Sequence, residues 1–331
     1  MLVTGASGFL GSHLARRLVG LGAHVVAWTS SNERLWRIED LAGRLQHFLV
    51  DIRDLAQVRM VCRETQAEVV FHLAAYGVHA EQQDALTAID VNVRGMAHLL
   101  EGLRGTTCRR VIATGTWAEY GAQERAIRES DPLEPIGVYA CSKAAATMLA
   151  LGLAAQRELP LVVLRPFSVY GPGEGGQKFV PSVIRACLRG ESPKLTSCRQ
   201  VRDYVFIDDV VDAYLQAAEM LPSPHGSGTS SPTDTDKTPV PGSAAVEQPL
   251  VLNIGSGAPL VLRDFVAMII RHFPGIEPAF GAIPDREREI WRVVADVSQA
   301  RERLGWQPRH SLEDGVRVTV DWFRSHPDGH R

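Results

Sequence analysis

Tyr139 and Lys143 stand four residues apart in a stretch of helical spacing, so their side chains share one helix face. A free phenol holds its proton to a pH near ~10 and is a poor base at neutrality. An ammonium one turn away favours the phenolate, and a shift of three units corresponds to about 4 kcal/mol. Thr116 offers a hydroxyl that could hydrogen-bond the same reacting group and hold it in line. Taken alone, such a pair reads as a surface tyrosine beside a solvated lysine. Its company changes that reading. Thr4-Gly5-Ala6-Ser7-Gly8-Phe9-Leu10-Gly11 follows a first strand and opens a first helix. Gly5 permits a tight turn, Gly8 lets backbone approach a diphosphate, and Gly11 lets helix pack on sheet. The N–H groups of the helix's first turn then face the anion, so Gly5, Ser7, Gly8, Phe9, Leu10 and Gly11 are expected to hold a dinucleotide.

The elements that must position these groups alternate. Strands are expected at Leu2–Thr4, His24–Trp28, His47–Val50, Glu68–His72, Arg110–Thr114 and Leu161–Arg165. Helix-spaced segments lie between them at Gly11–Leu21, Leu55–Thr65, Asn92–Leu103 and Val138–Gln156. That alternation predicts an α/β fold: a doubly wound parallel sheet over residues 1–165, with helices on both faces. A smaller α/β part is expected over 166–331, with segments near 201–221 and 250–256 returning to the sheet. It carries a helix near Pro181–Leu188, a strand at Val201–Ile207 and a helix at Asp208–Met220, with Asp208 and Asp209 read as N-caps. Later elements are Leu250–Gly255, Ala300–Trp306 and Leu312–Phe323. Residues 222–249 are Ser, Thr, Pro and Gly with almost no large apolar side chain, and read as a disordered insertion. The first strand is short enough that a few residues are expected upstream of Met1.

Composition narrows the partners. Of 331 residues, 45% are apolar and 22% charged, and a formal charge of −3 gives no general attraction for nucleic acid or an anionic membrane. The five cysteines lie far apart with no CxxC, which speaks against a disulfide framework or structural zinc and suits a reducing cytoplasm. His72 and His79 lack metal-site partners, so no metal is expected. The N-terminal run is broken by glycine and serine, unlike a signal peptide, and uninterrupted apolar stretches fall short of the roughly 18 residues of a membrane span.

The glycine spacing is GxxGxxG, and here the chain resembles the extended short-chain dehydrogenase/reductases, the NAD-dependent epimerase/dehydratase group acting on nucleotide sugars. The resemblance runs on through Val50-Asp51-Ile52, His72-Leu73-Ala74-Ala75, Asn92, Thr116 with Tyr120-Gly121, Tyr139-x-x-x-Lys143 and Arg165-Pro166-Phe167-Ser168-Val169-Tyr170-Gly171-Pro172. Val201-Arg202-Asp203-Tyr204, Asn253-Ile254-Gly255-Ser256-Gly257 and Leu304-Gly305-Trp306 complete it. The resemblance implies that Asp51 and Ile52 flank an adenine, that Leu73, Ala74 and Ala75 line the cofactor with Asn92 and Thr114, and that Pro166 and Val169 sit near the nicotinamide. It implies Tyr139 as acid/base beside Thr116 and Lys143, taking a proton from a sugar hydroxyl while the carbon yields hydride. On the substrate, a nucleotide-diphosphate sugar, it implies Arg202 and Arg286 at the phosphates, with Trp117, Ser168 and Val180 nearby. The nucleotide base would lie around 178–181 and 193–197. Ser168 stands where many relatives carry asparagine, which puts substrate positioning there in doubt. A homodimer through the helices near Asn92–Leu103 and Val138–Gln156 is likewise implied.

Cofactor choice turns on the end of the second strand, Ala27-Trp28-Thr29-Ser30-Ser31-Asn32, where no carboxylate stands to grip the ribose hydroxyls. Thr29 and Ser30 could bond a phosphate and Arg34 could pair with one, or Arg34 could be a solvated loop residue. NAD and NADP both stay open, with a lean to NADP. Among reactions, 4,6-dehydration is disfavoured, because Trp117 and Ala118 follow Thr116 where the dehydratases place acids. A 4-epimerase working through a keto-sugar comes first, an NADPH-dependent 4-keto-6-deoxysugar reductase second, and a non-catalytic NAD(P)-binding protein last.

Overall fold

The computed structural model describes residues 1–32, 35–79, 81–220 and 248–326. Its strands are β1 (Leu2–Thr4), β2 (Val26–Thr29), β3 (Gln46–Leu49), β4 (Val69–His72), β5 (Arg110–Thr114) and β6 (Leu161–Pro166). Shorter ones follow: β7 (Ser168–Tyr170), β8 (Lys194–Leu195), β9 (Val201–Arg202), β10 (Tyr204–Phe206), β11 (Leu250–Ile254), β12 (Leu260–Val261) and β13 (Ala279–Phe280). The helices are α1 (Phe9–Gly20), α2 (Leu55–Thr65), α3 (Ala85–Ala88), α4 (Gly95–Gly102), α5 (Gly137–Arg157), α6 (Phe179–Leu188), α7 (Ile207–Glu219), α8 (Leu262–Ile270), α9 (Ser298–Leu304) and α10 (Leu312–Ser325).

One parallel sheet runs β11-β6-β5-β4-β1-β2-β3. Its side chains alternate between two cores, as period-two strands require. Val3, Ala27 and Phe71 join Leu14, Leu18, Val210 and Tyr214 of α1 and α7 on one face. Leu2, Val26 and Val70 join Val58, Val61, Leu99, Leu100, Ala146 and Ala150 of α2, α4 and α5 on the other. A third core, the heart of the smaller C-terminal part, gathers α6, α8 and α10 around Tyr170, Tyr204 and Phe265. The last two rings lie 4.1 Å apart between centroids.

Several elements differ from expectation for physical reasons. Val201–Ile207 is split into β9 and β10 at Asp203, which is fully buried and accepts from Ser256 N and Oγ, Gly257 N and Ala295 N at 2.6, 2.7, 2.9 and 3.0 Å. The helix expected from Asn92 begins as a wider π turn over Ile89–Arg94, and Asn92 within it is buried. Asp208 and Asp209 lie in the first turn of α7 without capping it: Asp208 faces His13, and Asp209 accepts from Arg309 N and His310 N. Helix α8 was not among the expected elements, although Leu262, Phe265, Val266 and Ile269 are buried at the i, i+3, i+4, i+7 spacing that announces it. The insertion at 222–249 lies outside the described residues, apart from Gln248 and Pro249.

Candidate active site

β1 pairs with β2 on one side and β4 on the other, so a crevice opens where the chain leaves in opposite directions at the strands' carboxyl ends. Gly5 turns there with φ +68°, and a Cβ on it would lie 2.8 Å from Ala74 N. A Cβ on Gly11 would strike the Gly5 carbonyl oxygen. Helix α1 is capped by Gly8, which has no side chain to satisfy the first-turn N–H groups, and that turn carries no carboxylate. Free amides, open backbone and the positive end of a helix dipole are what a dinucleotide's diphosphate needs, so these residues fit the cofactor. The Thr4 hydroxyl binds the neighbouring turn into place, accepting from Leu73 N and Ala74 N at 3.2 Å each and lying 2.8 Å from His72 Nδ1. Burial, aided by the Lys143 charge, pushes His72 down to about 3, so its ring is neutral and Nδ1 can accept from Thr4.

Thr116, Tyr139 and Lys143 come together beside this crevice. Thr116 opens a short 3-10 turn, Trp117–Tyr120, and accepts from Ala118 N at 3.3 Å. Tyr139 is half-buried in the first turn of α5, with the Thr116 hydroxyl bonded to its phenol. Gly77, at φ +95°, lets a loop close over that ring, since a Cβ there would lie 3.1 Å from Tyr139 Cβ. Lys143 is 3% exposed and donates from Nζ to the Thr114 carbonyl at 2.6 Å, while Tyr214 donates to Thr114 Oγ1 at 2.8 Å.

The electrostatics of the pair follow from its burial. Burial pushes the Tyr139 phenol up to about 12, against a lowering by Thr116 and with a further rise from the Glu119 charge. Burial also lowers Lys143, and Glu119 opposes that. The lysine therefore does not by itself bring the phenol to neutrality; a cation beside the ring is needed as well.

Glu119, three residues after Thr116, is fully buried. Its Oε1 accepts from Thr116 N at 2.9 Å and Thr147 Oγ1 at 3.1 Å, and its Oε2 from Arg165 Nε at 2.9 Å and Nη2 at 2.7 Å. Arg165 also donates to Tyr120 Oη at 2.6 Å, and Tyr120 donates to Asn253 Oδ1 at 2.9 Å. Thr116-x-x-Glu119 is the local pattern of a capping box, which accounts for the bond to Thr116 N but not for the bonds to Thr147 and Arg165. The hint was Arg165 itself, an arginine in the middle of an apolar strand, which demands a buried partner.

Other expected site residues divide. Thr29 is 3% exposed and its hydroxyl lies 2.7 Å from His47 Nε2, so it is not free for a phosphate; Ser30 is exposed, and Arg34 lies outside the described residues. Asp51 is half-buried and held bidentately by Arg53, which lowers its pKa; Ile52 is buried against Gly95. Asn92 accepts from Tyr76 N at 2.8 Å and donates to Tyr76 O and Ser142 Oγ at 2.9 and 2.8 Å, so its amide ties loop to helix. Pro166 is buried at the end of β6, and Val169 packs half-buried against two cores. Trp117 packs half-buried against Tyr120 and Phe167, and Ser168 is half-buried with its N–H on Asp203 O. Val180 is 2% exposed, with its side chain in the third core. Arg202 donates to Glu289 at 2.8 Å in a mostly buried pair, whereas Arg286 is exposed. Asp285 accepts from Ser197 N and Oγ at 3.1 and 3.0 Å and pins the loop that carries Arg286.

A family model described as "NAD dependent epimerase/dehydratase family" matches residues 1–227. The UDP-glucose 4-epimerase of Mycolicibacterium smegmatis is 31% identical over 98% of both chains. The structure of a UDP-glucose 4-epimerase with UDP-glucose from Thermotoga maritima is similar at 27% identity, with a TM-score of 0.84 over 99% of both chains. That of a UDP-glucuronic acid 4-epimerase from Bacillus cereus, with UDP-glucuronic acid and NAD, is similar at 25% identity, with a TM-score of 0.82 over 98% of both.

Proposed function

Because the chain belongs to the NAD dependent epimerase/dehydratase family and is an enzyme of it, we propose that it is a nucleotide-sugar 4-epimerase that works through a keto-sugar, with Tyr139 as acid and base. The observation that carries this reading is the convergence of Thr116, Tyr139 and Lys143 next to a glycine turn shaped for a dinucleotide. Similarity to 4-epimerases over nearly the whole chain supports the choice of reaction.

Gly5, Gly8 and Gly11, with the first-turn amides of α1, would hold the cofactor's diphosphate, and Leu73, Ala74 and Ala75 would line it. When bound, NAD supplies the acceptor and donor for a hydride at the sugar carbon. Tyr139 takes the C4 hydroxyl proton and returns it once the sugar has presented its other face. Thr116 bonds the same oxygen and fixes its direction. Lys143, tied to the Thr114 carbonyl, places a positive charge below the phenol. Arg202 and Arg286 would take the diphosphate, for which guanidinium forks are suited. We infer NAD over NADP, since the Thr29 hydroxyl, one of the groups that favoured a 2′-phosphate, is committed to His47.

We also infer a homodimer through α5. That helix is long and apolar enough to cross a bilayer, yet Ala146, Ala150 and Ala154 are buried against the sheet. Its other face exposes Cys141, Ala145, Met148 and Gly152, beside exposed Leu86 and Ile89. An uncharged stripe of this kind suits a second copy of the chain.

The test is to incubate purified protein with UDP-glucose and UDP-glucuronic acid and follow the C4 epimers while extracting the cofactor. Epimerisation with retained NAD is the expected result. Protein that does not epimerise but consumes NADPH with a 4-keto-sugar would replace this reading with a reductase.

A further inference from the structure

Glu119 is tied to the reacting groups by geometry that the proposed mechanism does not yet use. Its two oxygens face four donors: Thr116 N, Thr147 Oγ1, Arg165 Nε and Arg165 Nη2. Three of those four groups can only donate, and two belong to the Arg165 guanidinium, so the arrangement suits a carboxylate paired with that cation. The cavity for it is built deliberately tight: a Cβ on Gly115 would lie 2.8 Å from both Glu119 Oε1 and Arg165 Cγ. Only glycine at 115 leaves the ion pair room directly behind Thr116.

We propose that Glu119 is a positioning residue, a buried anion that fixes the Thr116 turn and acts as counter-charge to the Tyr139–Lys143 pair. The inference rests on the reading of that pair as the reacting groups. The charged and titratable groups around the pair are Glu119 behind Thr116, Arg165 on β6, His72 on β4 and Tyr214 on α7. His72 is neutral, and Tyr214 keeps its proton because burial raises it. Glu119 is thus the one anion among these neighbours. Its charge raises both Tyr139 and Lys143, opposing the loss of charge that burial favours at the ammonium and adding to the rise that burial causes at the phenol. The same carboxylate, through Thr116 N, sets the angle of the Thr116 hydroxyl on the phenol.

The experiment titrates Tyr139 by phenolate ultraviolet absorbance, as the difference between each protein and its Tyr139→Phe counterpart, in wild type, Glu119→Gln and Glu119→Gln/Arg165→Met. The double variant covers the case in which a lone Arg165 prevents folding. The expected result is a Tyr139 titration about one pH unit lower in the variants, with the pH profile of kcat displaced the same way and kcat down about tenfold. An unmoved titration in a folded variant would overturn the proposal and leave Glu119 purely structural. Wild-type protein inactive on every sugar nucleotide would instead sink the functional reading, while the titration would still report on Glu119.

Discussion

The proposed acid–base centre and the arginines proposed to take the diphosphate are built on opposite plans. Around Tyr139, each polar neighbour is held by bonds inside the protein: Lys143 on Thr114, Thr116 on Glu119, Glu119 on Arg165, and Arg165 on Tyr120. At the phosphate end, Arg286 is exposed, and Arg202 has a single carboxylate partner, Glu289, that an incoming phosphate can replace. The difference teaches where rigidity is needed. A proton transfer depends steeply on distance and angle, so its donors are fixed beforehand by buried, satisfied bonds. Capturing a flexible diphosphate depends on charge, which acts over a longer range and tolerates movement.

Kinetics should separate the two regions, and the largest effect belongs to the fixed one. Tyr139→Phe is expected to lower kcat by about two to four orders of magnitude with substrate affinity nearly unchanged. Steady-state rates together with direct binding of the sugar nucleotide check this, and a variant that retained turnover would break the comparison at its root. Arg202→Ala is next. It should raise KM by about ten- to a hundredfold, the worth of a charged hydrogen bond, and change kcat by less than about threefold. A loss confined to kcat would show that Arg202 belongs to the rigid centre after all. The smallest effect on turnover is expected from Met148→Glu on the outer face of α5. Size-exclusion and sedimentation should show the dimer become a monomer, with kcat within about twofold of wild type because the side chain is remote from both regions. A variant that stayed dimeric would remove α5 from the interface.

Legibility followed the same division. The glycine turn was readable because strand, turn and helix are neighbours in sequence, and each glycine answers a local demand, such as φ +68° at Gly5. Tyr139 and Lys143 were readable because helix periodicity alone puts them on one face. For Val180 the sequence does not say which way a helix turns, and the structure puts its side chain in the third core. Thr29 looked free for a phosphate until its sheet neighbour was known, since His47 reaches it only through the β2–β3 pairing. The bonds that hold the Asn92 amide, to Tyr76 and Ser142, were likewise out of reach of the sequence.

By itself, then, the sequence determined the strand–helix alternation, the glycine turn and the shared helix face of Tyr139 and Lys143, because those features are encoded over a few residues by backbone freedom and periodic spacing. Only the tertiary structure decided which charges surround that pair and in what state it sits. Glu119 meets Arg165 across 46 positions and Arg202 meets Glu289 across 87. The burial that lifts the Tyr139 phenol to about 12 comes from the folded environment, not from its neighbours in the chain. Desolvation and long-range pairing are properties of packing, and no window of residues contains them.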